Sequence, residues 1–281
     1  MVSKIGFILV VFCASTFAIP AIPPEVQAVN ANDFEQTNRI VGGDIAADSN
    51  FPHVAAISTG WIFRSLVCGG SLITGRHVLT AAHCVDALYV FGTLSWSLRV
   101  TVGTNRWKRG GQMYSVSHNI THQHYDRVRI KNDIGLLVTS SKVQLSQVVV
   151  PVSLSFEFIG AGVTTRATGW GRTKYMGPIS DNLRQLTVDT IDGQQCVQQV
   201  AAVAAELGMT VPPVDPEIEL CTLHSPNHGM CNGDSGSALV RLDSGEQVGV
   251  VSWGLSCARG APDMFLRVSA FRDWLLQNVD E

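Results

Sequence analysis

An all-β domain is the fold class predicted for most of this 281-residue chain, on three observations. Short apolar, β-branched runs recur at Val54–Ile57, Ser71–Ile73, Val78–Leu79, Leu98–Val102, Ile134–Val138 and Gln247–Val251. Gly, Asn, Asp and Ser separate them, as turn residues separate strands. Helical spacing is confined to two short stretches. Ala201 to Met209 predicts one helix, and the C-terminal segment predicts another, with Ser269 as N-cap and Phe271, Trp274, Leu275 and Asn278 on one face. There are no repeats or low-complexity tracts. Periodicity alone does not separate a barrel from a β-sandwich.

Taken from the N-terminus, residues 1–18 read as a secretory signal. Lys4 supplies positive charge, Ile5 to Phe12 an apolar core, and Thr16-Phe17-Ala18 a cleavage point with small residues. The apolar stretch is shorter than the roughly 20 residues that span a bilayer, which argues against an anchor. Residues 19–39 carry Pro20, Pro23 and Pro24, lack strand or helix periodicity, and are too short to bury a core. The chain has seven cysteines, an odd number, but Cys13 leaves with the signal. Cys68, Cys84, Cys196, Cys221, Cys231 and Cys257 remain, and their pairing is open at this point. An oxidising compartment favours disulfides over a metal at His83-Cys84, where no Cys-x-x-Cys pair occurs.

The chemistry concentrates in Gly233-Asp234-Ser235-Gly236, two residues after Cys231. A serine hydroxyl becomes a good nucleophile when a histidine takes its proton and backbone amides hold the resulting oxyanion. Thr80-Ala81-Ala82-His83-Cys84 offers the histidine after an apolar run, and Asn132-Asp133-Ile134-Gly135-Leu136-Leu137 offers an aspartate opening another. Together with Arg39-Ile40-Val41-Gly42-Gly43, Cys68-Gly69-Gly70-Ser71 and Ser252-Trp253-Gly254, these fragments closely resemble the chymotrypsin family of serine endopeptidases from Ile40 to the C-terminus. The order His…Asp…Ser is the one that this family uses, whereas unrelated hydrolases with the same three residues order them differently.

The resemblance implies two six-stranded antiparallel β-barrels with a C-terminal helix over 40–281, His83 and Asp133 coming from the first barrel and Ser235 from the second. It implies His83, Asp133 and Ser235 as catalytic residues, the amides of Gly233 and Ser235 as the oxyanion hole, and Ser252, Trp253 and Gly254 as the strand that pairs with an extended substrate. It implies the pairs Cys68–Cys84, Cys196–Cys221 and Cys231–Cys257. It also makes residues 19–39 an activation propeptide, cleaved after Arg39 so that the new ammonium of Ile40 pairs with Asp234.

Specificity departs from the common patterns. The pocket-floor position that holds aspartate in trypsins is Gly229 here, followed by Met230, and Asp263 stands where most relatives carry glycine. Gly229 with Asp263 resembles broad-specificity collagenase-like members from crustaceans and insects, and some insect chymotrypsins. The Asp263 carboxylate could pair with a basic side chain, shorten the pocket, or turn away into solvent. Cleavage after large apolar or aromatic residues is expected, with tolerance of Arg or Lys.

No cofactor or metal is expected. His118, His122 and His124 precede Asp133, but the family often carries a pair such as His124-Tyr125 here, and no acidic loop has calcium spacing. Asn119-Ile120-Thr121 is a glycosylation sequon. The net charge of −3 is spread without blocks, so neither nucleic acid nor an anionic membrane is indicated as partner. Expected partners are protein or peptide substrates, an activating trypsin-like protease and protein protease inhibitors, with the enzyme a monomer. Arginine outnumbers lysine, which beyond the signal occurs only at Lys108, Lys131, Lys142 and Lys174. That bias resembles digestive proteases of the alkaline caterpillar midgut, so a secreted digestive enzyme of the gut lumen is the expectation. A cascade protease is the rival, although no cysteine-rich N-terminal module is present. An inactive binding homologue conflicts with the complete His, Asp and Ser set.

Overall fold

The computed structural model describes residues 40–255 and 257–279. The signal and propeptide assignments, with Cys13 and Arg39, lie outside them. Twelve strands form two closed antiparallel barrels. The first contains β1 (Val54–Thr59), β2 (Ser65–Leu72), β3 (His77–Thr80), β4 (Arg99–Val102), β5 (Gln112–Thr121) and β6 (Gly135–Thr139). They pair in the ring order β1-β2-β3-β6-β5-β4 and back to β1. The second contains β7 (Thr164–Gly169), β8 (Arg184–Thr190), β9 (Glu219–Leu223), β10 (Ala238–Arg241), β11 (Gln247–Gly254) and β12 (Asp263–Arg267). Its ring, β7-β8-β9-β12-β11-β10, repeats the order of the first. The resemblance, not the periodicity, points to the barrels, because a half-buried strand has the same alternation in a sandwich.

Each predicted strand run has a counterpart, with bounds moved by tertiary pairing. Residue 73, expected to end a strand, lies beyond β2. Closure buries Ile57, Leu72, Leu79, Val100, Leu136 and Leu137 inside the first barrel, and Ala167, Val188, Leu220, Leu239 and Phe265 inside the second. The barrels are tied side by side. Ser71 Oγ on β2 donates to Gln247 Oε1 on β11 at 2.7 Å, and the Trp107 and Trp170 indoles donate to Ser180 and Asn105 carbonyls.

The helices required two corrections. α1 (Ala82–Asp86) is a single turn after β3, and α2 spans Gly193–Glu206 rather than starting at Ala201 and ending at Met209. Asp192 sets that start, its carboxylate accepting from the amides of Gln194 (2.9 Å) and Gln195 (3.0 Å), a side-chain N-cap. The apolar face around Ala201 is readable in the sequence, whereas the polar first turn is not. At the C-terminus, α3 covers Arg272–Asn278 after a 3₁₀ turn at Val268–Phe271. Ser269 therefore lies inside that turn, and Phe271 occupies the N-cap without a side-chain bond. All three disulfides form as the resemblance implies, with Cα separations of 6.1, 6.2 and 4.3 Å in chain order.

Candidate active site

His83 sits on the single turn α1, directly after the buried strand β3, and Asp133 precedes β6, which pairs with β3. That pairing brings the two side chains together across 50 residues of sequence. His83 Nδ1 lies 2.8 Å from Asp133 Oδ2, and the His83 amide donates to Oδ1 at 2.8 Å. The carboxylate thus holds both the ring and its backbone. Burial alone would pull the imidazole down, but the hydrogen bond and charge of Asp133, with the charge of Asp86, leave it above its ordinary value. Ser252 Oγ donates to the same Oδ2 at 2.5 Å. The resemblance assigns Ser252 to substrate alone. No local pattern connects positions 133 and 252, so this second role is invisible in the sequence.

Ser235 and His83 line one recess of about 410 Å³ together with Gly233, Met230, Ser252, Trp253, Gly254 and Asp263. Close contact between the barrels puts Ser235 there. Gly69 N donates to Ser235 O at 2.8 Å, and a side chain on Gly236, whose φ is +81°, would strike Thr80 Oγ1 and Gly69 O. Only glycine fits that approach. The amides of Cys231, Asp234, Gly236 and Ser237 all donate within the protein. Those of Gly233 and Ser235 have no acceptor among the described residues. Two unsatisfied donors beside a hydroxyl form a nest for an anion.

Asp263 is turned inward, not into solvent. Its Oδ2 accepts from Met230 N at 2.8 Å, and lies 2.6 Å from where a Cβ on Gly229 would be. Any side chain at 229 would displace it. Burial pushes the Asp263 carboxyl up to about 7, the Met230 amide opposing and the charge of Asp234 adding. Trp253 is fixed by a cluster that the sequence does not reveal. Its Nε1 donates to buried Glu219 Oε1 at 2.7 Å, as does Lys131 Nζ at 2.7 Å. These partners lie 34 and 88 residues apart.

Asp234 is wholly buried. Its oxygens accept from Gly171 N (2.7 Å) and Cys231 N (3.0 Å), while burial pushes the carboxyl up to about 7. Ile40 is also buried, with φ at +35°, a conformation costly for a β-branched residue. Val41 O accepts from Gly229 N at 3.0 Å, which joins this segment to the recess floor.

A metal at His83 would need thiolates, but Cys68 and Cys84 are joined to each other. His122 packs edge-on against Phe271 at 5.4 Å, and His118 bonds Ser117 Oγ at 3.0 Å. Asn119 lies on β5, half-buried, with its Nδ2 donating to Thr121 Oγ1 at 3.2 Å.

A recess between two closed barrels, lined by a carboxylate-held imidazole and a hydroxyl, defines a serine-type endopeptidase. Residues 40–275 match the family model described as Trypsin. Chymotrypsin-2 of Vespa crabro is 35% identical over 240 residues, covering 85% of this chain and 99% of the relative. Serine protease SP24D of Anopheles gambiae is 34% identical over 245 residues, covering 86% and 82%. Trypsin alpha-4 of Lucilia cuprina is 29% identical over 269 residues, covering 95% and 96%. The chain belongs to the trypsin family of serine proteases, the group with the chymotrypsin fold.

Proposed function

We propose that this protein is secreted as a zymogen and, once cleaved after Arg39, digests proteins after large apolar or aromatic residues, with tolerance of Arg and Lys. The observation that carries the reading is the 2.8 Å contact of His83 Nδ1 with Asp133 Oδ2, made beside the recess that Ser235 shares. Ser235 Oγ attacks the scissile carbonyl as His83 Nε2 takes its proton. The oxyanion rests on the amides of Gly233 and Ser235. The proton then passes to the departing amine, and water repeats the sequence to free the acyl group. Asp133 keeps the proton-bearing Nδ1 oriented and offsets the imidazolium charge. The acyl side of the substrate pairs with Ser252, Trp253 and Gly254.

Residues 1–18 are the signal, 19–39 the propeptide and 40–281 the protease domain in this reading. The buried Asp234 carboxyl supports an activation step, because a buried acid is strongly stabilised by an adjacent ammonium such as a freed Ile40 terminus. The positive φ at Ile40 supports it too, since cutting the Arg39–Ile40 bond removes that constraint. No helix among the described residues is long and apolar enough to cross a membrane. A trypsin-like activator, protein inhibitors and a monomeric state complete the reading.

A trypsin-like preference is the second reading, favoured by the Asp263 carboxylate that lines the recess. A fluorophosphonate tests the chemistry: labelling at Ser235 after activation, abolished in Ser235→Ala, is expected. An activated wild type that stays unlabelled and hydrolyses no peptide would falsify the reading. A peptide-library profile then separates apolar from basic preference.

A further inference from the structure

Two hairpins of the first barrel expose large apolar side chains beside the recess. The turn between β1 and β2 carries Trp61, Ile62 and Phe63, which are 64%, 87% and 88% exposed. The hairpin Tyr89–Val90 with Thr93–Leu94 leaves Phe91 fully exposed at its turn, and Trp96 just beyond it is 77% exposed. Single exposed apolar residues are ordinary, but a joined cluster marks a binding surface. These are joined. The Trp61 and Trp96 rings lie 5.5 Å apart, Arg99 covers Trp61 at 5.3 Å, and Gly60 N donates to Ser97 Oγ at 3.1 Å.

The two arginines act as braces. Arg64 Nη2 donates to Ser58 Oγ (2.7 Å) and Thr101 Oγ1 (3.0 Å). Arg99 Nη1 donates to the carbonyls of Trp96 (3.1 Å) and Leu98 (2.7 Å). The hairpins contain no acidic residue, and the face they turn outward is apolar and already ordered. Little ordering entropy is lost when such a surface binds.

Position says what it binds. β2 runs from the Trp61-Ile62-Phe63 turn to Val67 and Cys68, which line the recess beside His83. Ala87, on the same wall, precedes the second hairpin by two residues. The opposite wall is Ser252 to Gly254, where the proposed acyl side lies. A leaving group therefore exits past Val67 toward the hairpins. Phe63 to Val67 is four residues, about 13 Å of extended chain at ~3.3 Å each.

We infer that Trp61, Ile62, Phe63 and Trp96 form an apolar exosite for polypeptide substrates, gripping a large aliphatic or aromatic side chain roughly three to four residues past the scissile bond. The exosite rests on the proposed protease reading of the recess. It selects among substrates by the side chains on the leaving-group side of the cut, independently of Asp263.

The test uses the activated enzyme with two substrate types. A short anilide has nothing past the scissile bond. Internally quenched peptides share its acyl side and carry Leu, Phe, Gly or Asp at the third and fourth leaving-side positions. Wild type is expected to prefer Leu and Phe about tenfold in kcat/KM, the scale of one buried apolar side chain. Ile62→Ser/Phe63→Ser, a change confined to exposed turn positions, removes that preference and leaves anilide hydrolysis unchanged. A preference that survives the double variant, or is absent in wild type, overturns the exosite. So does equal loss on both substrate types. Binding of wild type to phosphatidylglycerol vesicles, lost in the variant while peptide preferences stay flat, overturns it in favour of a lipid surface. An inert anilide with unlabelled Ser235 in wild type sinks the protease reading, and the exosite with it.

Discussion

Asp133 receives three donors, from the His83 ring, the His83 amide and Ser252 Oγ, and these set how strongly it holds the imidazole proton. Removing the serine hydroxyl leaves the carboxylate more basic, so it pulls harder on His83. Ser252→Ala is therefore expected to move the acid limb of the kcat/KM profile upward by about half a unit, with kcat falling less than about tenfold. A downward move would show that the hydroxyl serves another group. Asp133→Asn, by contrast, should lose on the order of 10⁴ in kcat, the effect known for this substitution in the family's type triad. Asp263 makes a separate prediction. Its carboxyl titrates near pH 7, so it is neutral in mild acid and anionic above neutrality. The kcat/KM ratio for Lys or Arg over Phe on the acyl side should rise as pH climbs through 7. Asp263→Asn should flatten it, and a ratio indifferent to pH in wild type would remove Asp263 from selection.

At the scale of elements, β11 and β9 are coupled through Glu219. Buried Glu219 holds Lys131 Nζ and the Trp253 indole on one oxygen, and accepts from Asp215 N at 2.6 Å on the other. The Lys131 side chain is itself only 13% exposed, so the pair is largely removed from water. Glu219→Gln keeps an acceptor for the indole but leaves the ammonium uncompensated. A loss of about 3 kcal/mol in urea unfolding is expected. KM for extended peptides should rise more than KM for a short anilide, because Trp253 loses its anchor. Unchanged stability would mean that water reaches the ammonium. α2 teaches a smaller lesson, since its start is set by Asp192 and not by the apolar face that first suggests a helix.

For the whole molecule, the buried acids dominate the pH dependence. The Asp234 carboxyl is raised from 3.8 to about 7, so between those values the folded chain binds its proton more tightly than the unfolded chain does. Stability therefore falls as pH rises across that window, by roughly 4 kcal/mol at completion. Asp263 acts with the same sign. His83 adds stability that is present below its unfolded value and is lost as pH rises through its raised folded value. The uncleavable Arg39→Gln precursor should accordingly show a Tm that drops between about pH 4 and 7. In the cleaved protein the Ile40 ammonium is expected to hold Asp234 ionised, so the drop is smaller there and recurs only when the amine loses its proton in alkali. Asp263 and His83 are common to both forms, so the difference isolates Asp234. Parallel Tm curves would refute the Ile40–Asp234 pairing.

The turn chemistry around Ser235, the apolar run before His83 and the strand periodicity are legible in the residues because each is local. A glycine, a histidine and a β-branched run declare themselves within a few positions. Family resemblance adds the barrels and disulfides, which no local period encodes. Folding alone settles the contacts that join distant positions: the Ser252 hydroxyl on Asp133, Glu219 between Lys131 and Trp253, the inward turn of Asp263 and the paired aromatic hairpins. Such contacts depend on strand register and barrel closure, where one residue of slip reverses every side chain. A linear chain carries the components of this site, and their meeting is a property of the closed barrels.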